Sequence, residues 1–205
     1  MTIYFIIITI IVSLIAFQNN VLYRKLIFNP YLIETRRQWY RFFTSGFIHA
    51  DLIHLAINMI VFYSFGAALE FYFEEAFGER GQALYVILYL SALLMALIPT
   101  YKQNKLNPGY NGLGASGAVS AVVFACILFN PMQSLYLYGL INLTGIVFGV
   151  LYLWYCYYMG KKGGDNVNHS AHMWGALYGW LFTIVLSPSL LVDFFNKLIN
   201  FRDAL

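Results

Sequence analysis

Six long apolar runs occupy almost the whole chain, and they constrain its fold more than any other feature. The runs cover residues 3–22, 52–73, 83–101, 113–129, 135–158 and 171–195. A helix needs about 20 predominantly apolar residues to cross roughly 30 Å of hydrocarbon, and each run comes close to that length or exceeds it. The sequence therefore predicts six transmembrane helices joined by mostly short loops.

The composition favours a membrane protein over a soluble one. Of the 205 residues, 60% are hydrophobic and only 10% are charged, whereas a soluble domain has about 25% charged residues. We therefore predict an all-α membrane protein, with residues 1–205 forming one compact domain in a lipid bilayer. The net charge of +3 is small and dispersed, so it does not indicate a nucleic-acid partner.

The sequence contains no pattern typical of a metal or cofactor site. Cys126 and Cys156 lie inside the fourth and fifth apolar runs, where a thiol behaves as a small hydrophobic group. Two separate cysteines form neither a CxxC motif nor a zinc-ligand spacing. A glycine-rich phosphate loop is also missing. We therefore predict no metal and no cofactor.

Two reactive side chains stand where apolar runs begin. Ser116 follows a glycine-rich turn in the fourth run, and His172 opens the sixth. Reactive or ionisable groups at membrane depth are costly, so they usually mark a functional site. Because successive transmembrane helices alternate in direction, the fourth and sixth helices begin on the same side of the membrane. We therefore predict that Ser116 and His172 meet.

Small residues near both side chains favour close helix packing. Gly175 and Gly179 share a helical face with His172 and form a GxxxG motif, which lets two backbones approach closely. Gly114 and Gly117 flank the serine. The spacing therefore predicts that the fourth and sixth helices pack tightly below the reactive pair.

Hydrogen-bond donors are also expected near the serine. The first N–H groups of a helix have no partner within it, so those around Ser116 could stabilise a negatively charged oxygen. His54 and Asn58 lie one helical turn apart on one face of the second helix, which begins on the same membrane side. Their alternative role is to hold helices together through hydrogen bonds.

The ordered set of motifs resembles the rhomboid family of intramembrane serine proteases. The set comprises Trp39-Tyr40-Arg41-Phe42-Phe43-Thr44, His49, His54, Asn58, Gly114-Ala115-Ser116-Gly117, and Ala171-His172 with Gly175 and Gly179. The resemblance implies a serine endopeptidase that hydrolyses peptide bonds in or beside the transmembrane segments of substrate proteins. It implies Ser116 as the nucleophile and His172 as the general base.

The resemblance also implies roles for other residues. His54, Asn58 and the Ser116 backbone N–H would surround the oxyanion, and Trp39 and Arg41 would belong to a structural first loop partly embedded in one leaflet. The fifth helix and the loop after it would act as a gate and a cap over the site. The implied location is a bacterial inner (cell) membrane, as a multi-pass protein. The oligomeric state stays open.

Ser120 departs from the family pattern. Relatives often carry an aromatic residue four positions after the nucleophile, where it supports the catalytic imidazole, but here that position is Ser120. The residue that packs against His172 is therefore left open. We assign His169, one turn before His172, to the preceding loop. Asp165 and Asp51 are the carboxylates nearest in sequence to the two histidines of the site, and we predict a Ser–His dyad that uses neither.

Alternatives remain for both function and orientation. A catalytically silent rhomboid-like protein that binds transmembrane segments would be expected to lack the serine or the histidine. A small transporter would be expected to show a polar path at the bilayer midplane. With a cytoplasmic N-terminus, the loops on the active-site side carry nine of the 12 basic residues. The positive-inside rule then orients the site toward the cytoplasm, whereas bacterial rhomboids generally face it outward.

Overall fold

The structure is a computed structural model that describes residues 1–137 and 141–202, and it is helical over most of that length. Its first helices are α1 Thr2–Gln18, α2 Asn20–Leu26, α3 Pro30–Arg36, α4 Arg41–Thr44, α5 Leu52–Phe77, α6 Gly81–Met95 and α7 Ile98–Asn104. The later elements are α8 Ser116–Phe129, β1 Ser134–Leu137, β2 Ile141–Thr144, α9 Gly145–Lys162, α10 His169–Leu186 and α11 Ser189–Arg202.

Three of the predicted helices break near the ends of their runs. The run 3–22 breaks at Asn19, whose extended backbone ends α1 and whose side chain caps α2. Pro99, at the start of α7, cannot donate a backbone hydrogen bond or continue α6 without a clash. Ser187 is extended because the following Pro188 disfavours the helical conformation before it. The predicted helix 171–195 is therefore two helices, α10 and α11, bent by 111°.

The predicted helix 135–158 was wrong at its beginning. Strands β1 and β2 form an antiparallel hairpin in which Ser134 pairs with Thr144 and Leu135 with Leu143, and α9 begins only at Gly145. Residues 138–140 of the predicted helix lie outside the described part of the chain. A short apolar run is compatible with either a helix or a strand, so hydropathy alone could not locate this hairpin.

The described helices differ in their ability to cross a membrane. In the residues described, one stretch passes the test of length and apolarity, Leu52–Asn104, which contains α5, α6 and α7. The bent pair His169–Leu186 and Ser189–Asn200 gives a second when it is counted as one span. Helices Thr2–Gln18 and Ser116–Phe129 are apolar but shorter. The number of membrane crossings therefore stays a prediction.

Helix α8 forms the centre of the molecule. Every residue from Gly117 to Phe129 is buried, and α8 contacts α5, α6, α9, α10 and α11. A helix that is apolar on all sides has to be surrounded by other apolar elements. The position of Ser116 at the first residue of α8 therefore depends on the packing of the whole core.

Helices α8 and α10 touch backbone to backbone. A Cβ atom on Gly175 would lie 2.0 Å from the carbonyl oxygen of Gly117, and one on Gly179 would lie 2.1 Å from that of Ala121. Both distances are far shorter than a van der Waals contact, so only glycine fits at either position. These two glycines therefore allow the backbones of α8 and α10 to come into direct contact.

The segment between α1 and α5 is folded around a buried arginine. Arg41 donates from Nε to Gln38 Oε1 at 2.7 Å and from Nη1 to the carbonyl oxygens of Arg24 and Ile27 at 3.0 and 2.6 Å. Only 4% of its surface is exposed. These bonds satisfy carbonyl groups at the end of α2, which would otherwise lack helical partners.

Trp39 lies two residues before this arginine in the same segment. Its ring stacks on Phe42 at a centroid distance of 6.2 Å and lies 5.9 Å from the ring of Tyr101 in α7. About half of the tryptophan is exposed. The first loop is therefore an ordered structure that contacts α7.

We expect Gly179→Ala to destabilise the fold, because its methyl group forces α8 and α10 apart. Overpacking of a core typically costs about 1–3 kcal/mol. The matched control is Gly160→Ala in α9, where the new Cβ would lie at an ordinary 3.7 Å from His169 Cβ and alanine is the better helix former. Thermal unfolding in detergent should show a lower Tm for Gly179→Ala only. Equal Tm values for the two variants would contradict this packing.

Candidate active site

Ser116 and His172 form a hydrogen-bonded pair. Ser116 is the first residue of α8 and His172 lies in the first turn of α10, and the distance from Ser116 Oγ to His172 Nε2 is 2.7 Å. Asn168 caps α10 by accepting a hydrogen bond from Ala171 N at 3.1 Å. A neutral imidazole that accepts from the serine hydroxyl at Nε2 can also take its proton. The geometry is therefore suitable for nucleophilic chemistry at Ser116.

His49 holds the loop that precedes the serine. Ala115 N donates to His49 Nε2 at 3.4 Å, so the ring proton is on Nδ1 and is donated to Ser13 Oγ at 3.0 Å. Ser13 donates in turn to the carbonyl of Phe47 at 3.0 Å. Burial lowers the pKa of His49 to about 3, which keeps it neutral and able to accept. A chain of hydrogen bonds thus links α1 to the residue before Ser116.

Gly114 gives the loop its shape and leaves room for His54. Its backbone φ angle is +106°, a conformation that residues other than glycine rarely adopt. A Cβ here would lie 2.8 Å from His54 Cε1. The imidazole of His54 therefore lies directly against the backbone two residues before Ser116. Asp51 accepts from His54 N at 2.8 Å and so caps α5.

Asn58 is differently placed from His54. It lies one turn further along α5, is buried, and donates from Nδ2 to the carbonyl oxygen of His54 at 2.9 Å. One of its two amide hydrogens is therefore used within its own helix. Of the two side chains, His54 is the one that lies against Gly114.

Tyr152 of α9 supports the imidazole of His172, and the sequence did not identify it. The two rings stack at a centroid distance of 6.3 Å and an angle of 16°. Ser120 donates its hydroxyl hydrogen to the carbonyl of Ser116 at 2.8 Å, so the Tyr152 hydroxyl donates to Ser120 Oγ at 2.6 Å. Ser120 thus occupies the position where relatives often carry an aromatic residue, and the aromatic ring that packs against His172 comes from α9 instead. Among the many aromatic residues of α9, no sequence signal distinguishes Tyr152.

The carboxylates near the site belong to other interactions. The hydrogen bond from His169 Nε2, at 3.0 Å, lowers the pKa of Asp165. Within the described residues, the only hydrogen bond of the His172 ring is the one to Ser116.

The assignment of His169 to the preceding loop was wrong, since α10 begins at this residue and buries it.

Comparisons with known proteins identify a domain across most of the chain. The Rhomboid domain matches residues 36–189, which include Ser116 and His172. RHOMBOID-like protein 12, mitochondrial, of Arabidopsis thaliana is 30% identical over 145 residues, which cover 65% of this chain and 42% of that protein. Rhomboid protease AarA of Providencia stuartii is 25% identical over 177 residues, or 76% of this chain and 59% of that protein.

A third relative is also matched over only part of its length. The Presenilin-associated rhomboid-like protein, mitochondrial, of Homo sapiens is 28% identical over 158 residues, which cover 68% of this chain and 36% of that protein. The chain therefore spans less than two thirds of the length of each of these relatives. Two of the three are named as mitochondrial proteins, so the comparisons do not support the predicted bacterial inner membrane.

We expect Tyr152 to position His172, and a serine-reactive fluorophosphonate measures the effect. Tyr152→Leu removes the stacked ring and should slow labelling of Ser116 by roughly tenfold to a hundredfold, because small displacements of a reacting group are costly. Tyr152→Phe keeps the ring and should lose less. Tyr158→Leu, at an exposed position of the same helix, is the control. Labelling of Tyr152→Leu at the wild-type rate would show that the stacking has no such role.

Proposed function

The chain belongs to the rhomboid family of membrane-embedded proteins, and we propose that it is an intramembrane serine endopeptidase. Its substrates on this proposal are membrane proteins, cut in or near their transmembrane segments. The observation that carries the proposal is the 2.7 Å hydrogen bond between Ser116 Oγ and His172 Nε2. A binding protein without catalysis has no need of this pair at the ends of two tightly packed helices.

The proposed reaction begins with proton transfer from Ser116 to His172. The serine oxygen attacks the carbonyl carbon of the scissile bond, and Nε2 accepts the hydroxyl proton. The tetrahedral intermediate collapses as the C–N bond breaks, and the imidazolium gives its proton to the leaving amine. Water, activated by the same imidazole, then hydrolyses the ester on Ser116 and regenerates the hydroxyl.

The oxyanion of this intermediate would be stabilised at the beginning of α8. The first N–H groups of that helix, starting with Ser116, lack helical acceptors, and the positive end of the helix dipole lies there. His54, held against Gly114, supplies a side-chain donor at the same place. Asn58 contributes through its second amide hydrogen or by holding His54 through the carbonyl that it already binds.

On this proposal, Ser116 and His172 act as a catalytic dyad without a carboxylate. In serine proteases with a triad, a carboxylate fixes the imidazole and stabilises its charged form. Here the stacked ring of Tyr152 fixes the orientation of His172, and Asp165 is bound to His169 instead. The imidazole is therefore oriented but receives less electrostatic help, which favours a slow enzyme.

The proposed membrane arrangement has six crossings, in which the shorter apolar helices also span the bilayer. The membrane face that carries the starts of α5, α8 and α10 holds the site. Helix α9, which carries Tyr152 and exposes Trp154 and Tyr157, is the proposed gate beside it.

We expect loss of cleavage when either member of the dyad is removed. The purified protein in liposomes is mixed with a single-pass substrate, and the products are resolved by electrophoresis. Ser116→Ala and His172→Ala should each reduce the rate to background, while Ser64→Ala, an exposed serine of α5, should leave it unchanged. If the wild type cleaves nothing while it still binds the substrate, the protein is a silent rhomboid-like binder and the proposal is wrong.

We expect His54→Ala to reduce turnover by roughly 10²–10³, the usual cost of losing one oxyanion donor. Asn58→Ala should cost less, because its amide is partly used within α5. His54→Gln retains a donor and should recover part of the rate. Losses below about threefold in both alanine variants, with the fold intact, would assign the two residues to helix packing instead.

A further inference from the structure

We infer that the protein has a metal-binding site for Zn²⁺ or a similar divalent cation, formed by Cys156, His169 and His172. Cys156 belongs to α9, while the two histidines lie on one face of α10. One ligand atom from each residue lies within 4.8 Å of the other two. A thiolate with two imidazoles is a typical ligand set for zinc.

The distances require only a small adjustment of the side chains. With Zn–S and Zn–N bonds of about 2.3 and 2.0 Å, tetrahedral ligand atoms lie about 3.5 Å apart. The three side chains therefore need to move together by roughly 1 Å to reach that geometry. The thiol proton is released to solvent as the Zn–S bond forms, because a coordinated thiol is deprotonated.

His169 supplies the observation that points to a ligand. Its side chain is 96% buried, since only 4% of it is exposed. The Asp165 carboxylate accepts from Nε2 at 3.0 Å, so the ring proton is on Nε2 and the lone pair is on Nδ1. Nδ1 is buried and has no hydrogen-bond partner among the described residues. Buried nitrogens are rarely left in this state, and a cation would satisfy it.

The contact with Asp165 resembles the outer shell of known metal sites. A histidine that binds zinc usually donates its other N–H to a carboxylate, which fixes the tautomer and makes the ligand more basic. Asp165 and His169 also line a surface cleft, whereas Cys156 and His172 do not. On this proposal a cation enters from the cleft, past the ring of His169.

Metal binding would inhibit the proposed protease, and this consequence rests on the proposed function. A neutral imidazole has one lone pair. A cation on His172 Nδ1 leaves the proton on Nε2, which then cannot accept from Ser116, and a cation on Nε2 displaces the serine hydroxyl. In either case the general base is lost while the metal is bound.

Cobalt titration tests the site without any activity measurement. Co²⁺ is added to the reduced, purified protein in detergent, and a thiolate-to-cobalt absorption band should rise to one equivalent and disappear when Zn²⁺ is added. Cys156→Ser should abolish the band. Cys126→Ser should keep it, because Cys126 is a buried thiol of α8 that bonds to the carbonyl of Phe65 at 3.1 Å. Asp165→Asn should weaken binding by about 10–100-fold.

The absence of a thiolate band in the folded wild type, or an equal band in Cys156→Ser, would overturn the site. Inhibition is tested separately in the liposome cleavage assay with Zn²⁺ and then a chelator. The wild type should lose activity reversibly, and Cys156→Ser should require at least tenfold more Zn²⁺. Cleavage without a cobalt band would reject the metal site and leave the protease, whereas a cobalt band without cleavage would reject the protease and leave the metal site.

Discussion

The contact between the backbones of α8 and α10 is the interaction on which the site depends. Gly175 and Gly179 let α10 lie against carbonyl groups of α8, at distances that no side chain would tolerate. This contact fixes the first turns of the two helices side by side. Ser116 and His172 occupy those turns, so the 2.7 Å hydrogen bond between them follows from helix packing in the core rather than from a flexible loop.

Helix α9 adds a second level of control over His172. Its Tyr152 stacks on the imidazole and bonds to Ser120, and its Cys156 lies beside His169 and His172. Both contacts are lost if α9 moves away from α10. The proposed gate helix therefore also carries the support of the catalytic base, so that substrate entry and the orientation of His172 are linked through the same element. A metal ion between α9 and α10 would hold the gate and the base together.

Several features could be predicted from the sequence because simple rules determine them. The meeting of Ser116 with His172 was expected from the order of the apolar runs, and the GxxxG spacing identified the face of α10 that packs on α8. Other features depended on tertiary contacts that spacing does not encode. The strand pairing of Ser134 with Thr144 lies in a run whose hydropathy fits a helix equally well. Tyr152 is recognisable only after α9 has been packed beside α10.

The most direct test of the Ser116–His172 dyad is to compare cleavage by Ser116→Ala, His172→Ala and the double variant in one assay. Residues that act as a unit have strongly non-additive effects, so that losing one costs about as much as losing both. If Ser116 and His172 act as a dyad, all three variants should have the same residual rate within error. A double variant whose loss is the product of the two single losses would show that Ser116 and His172 contribute independently, and would contradict the dyad.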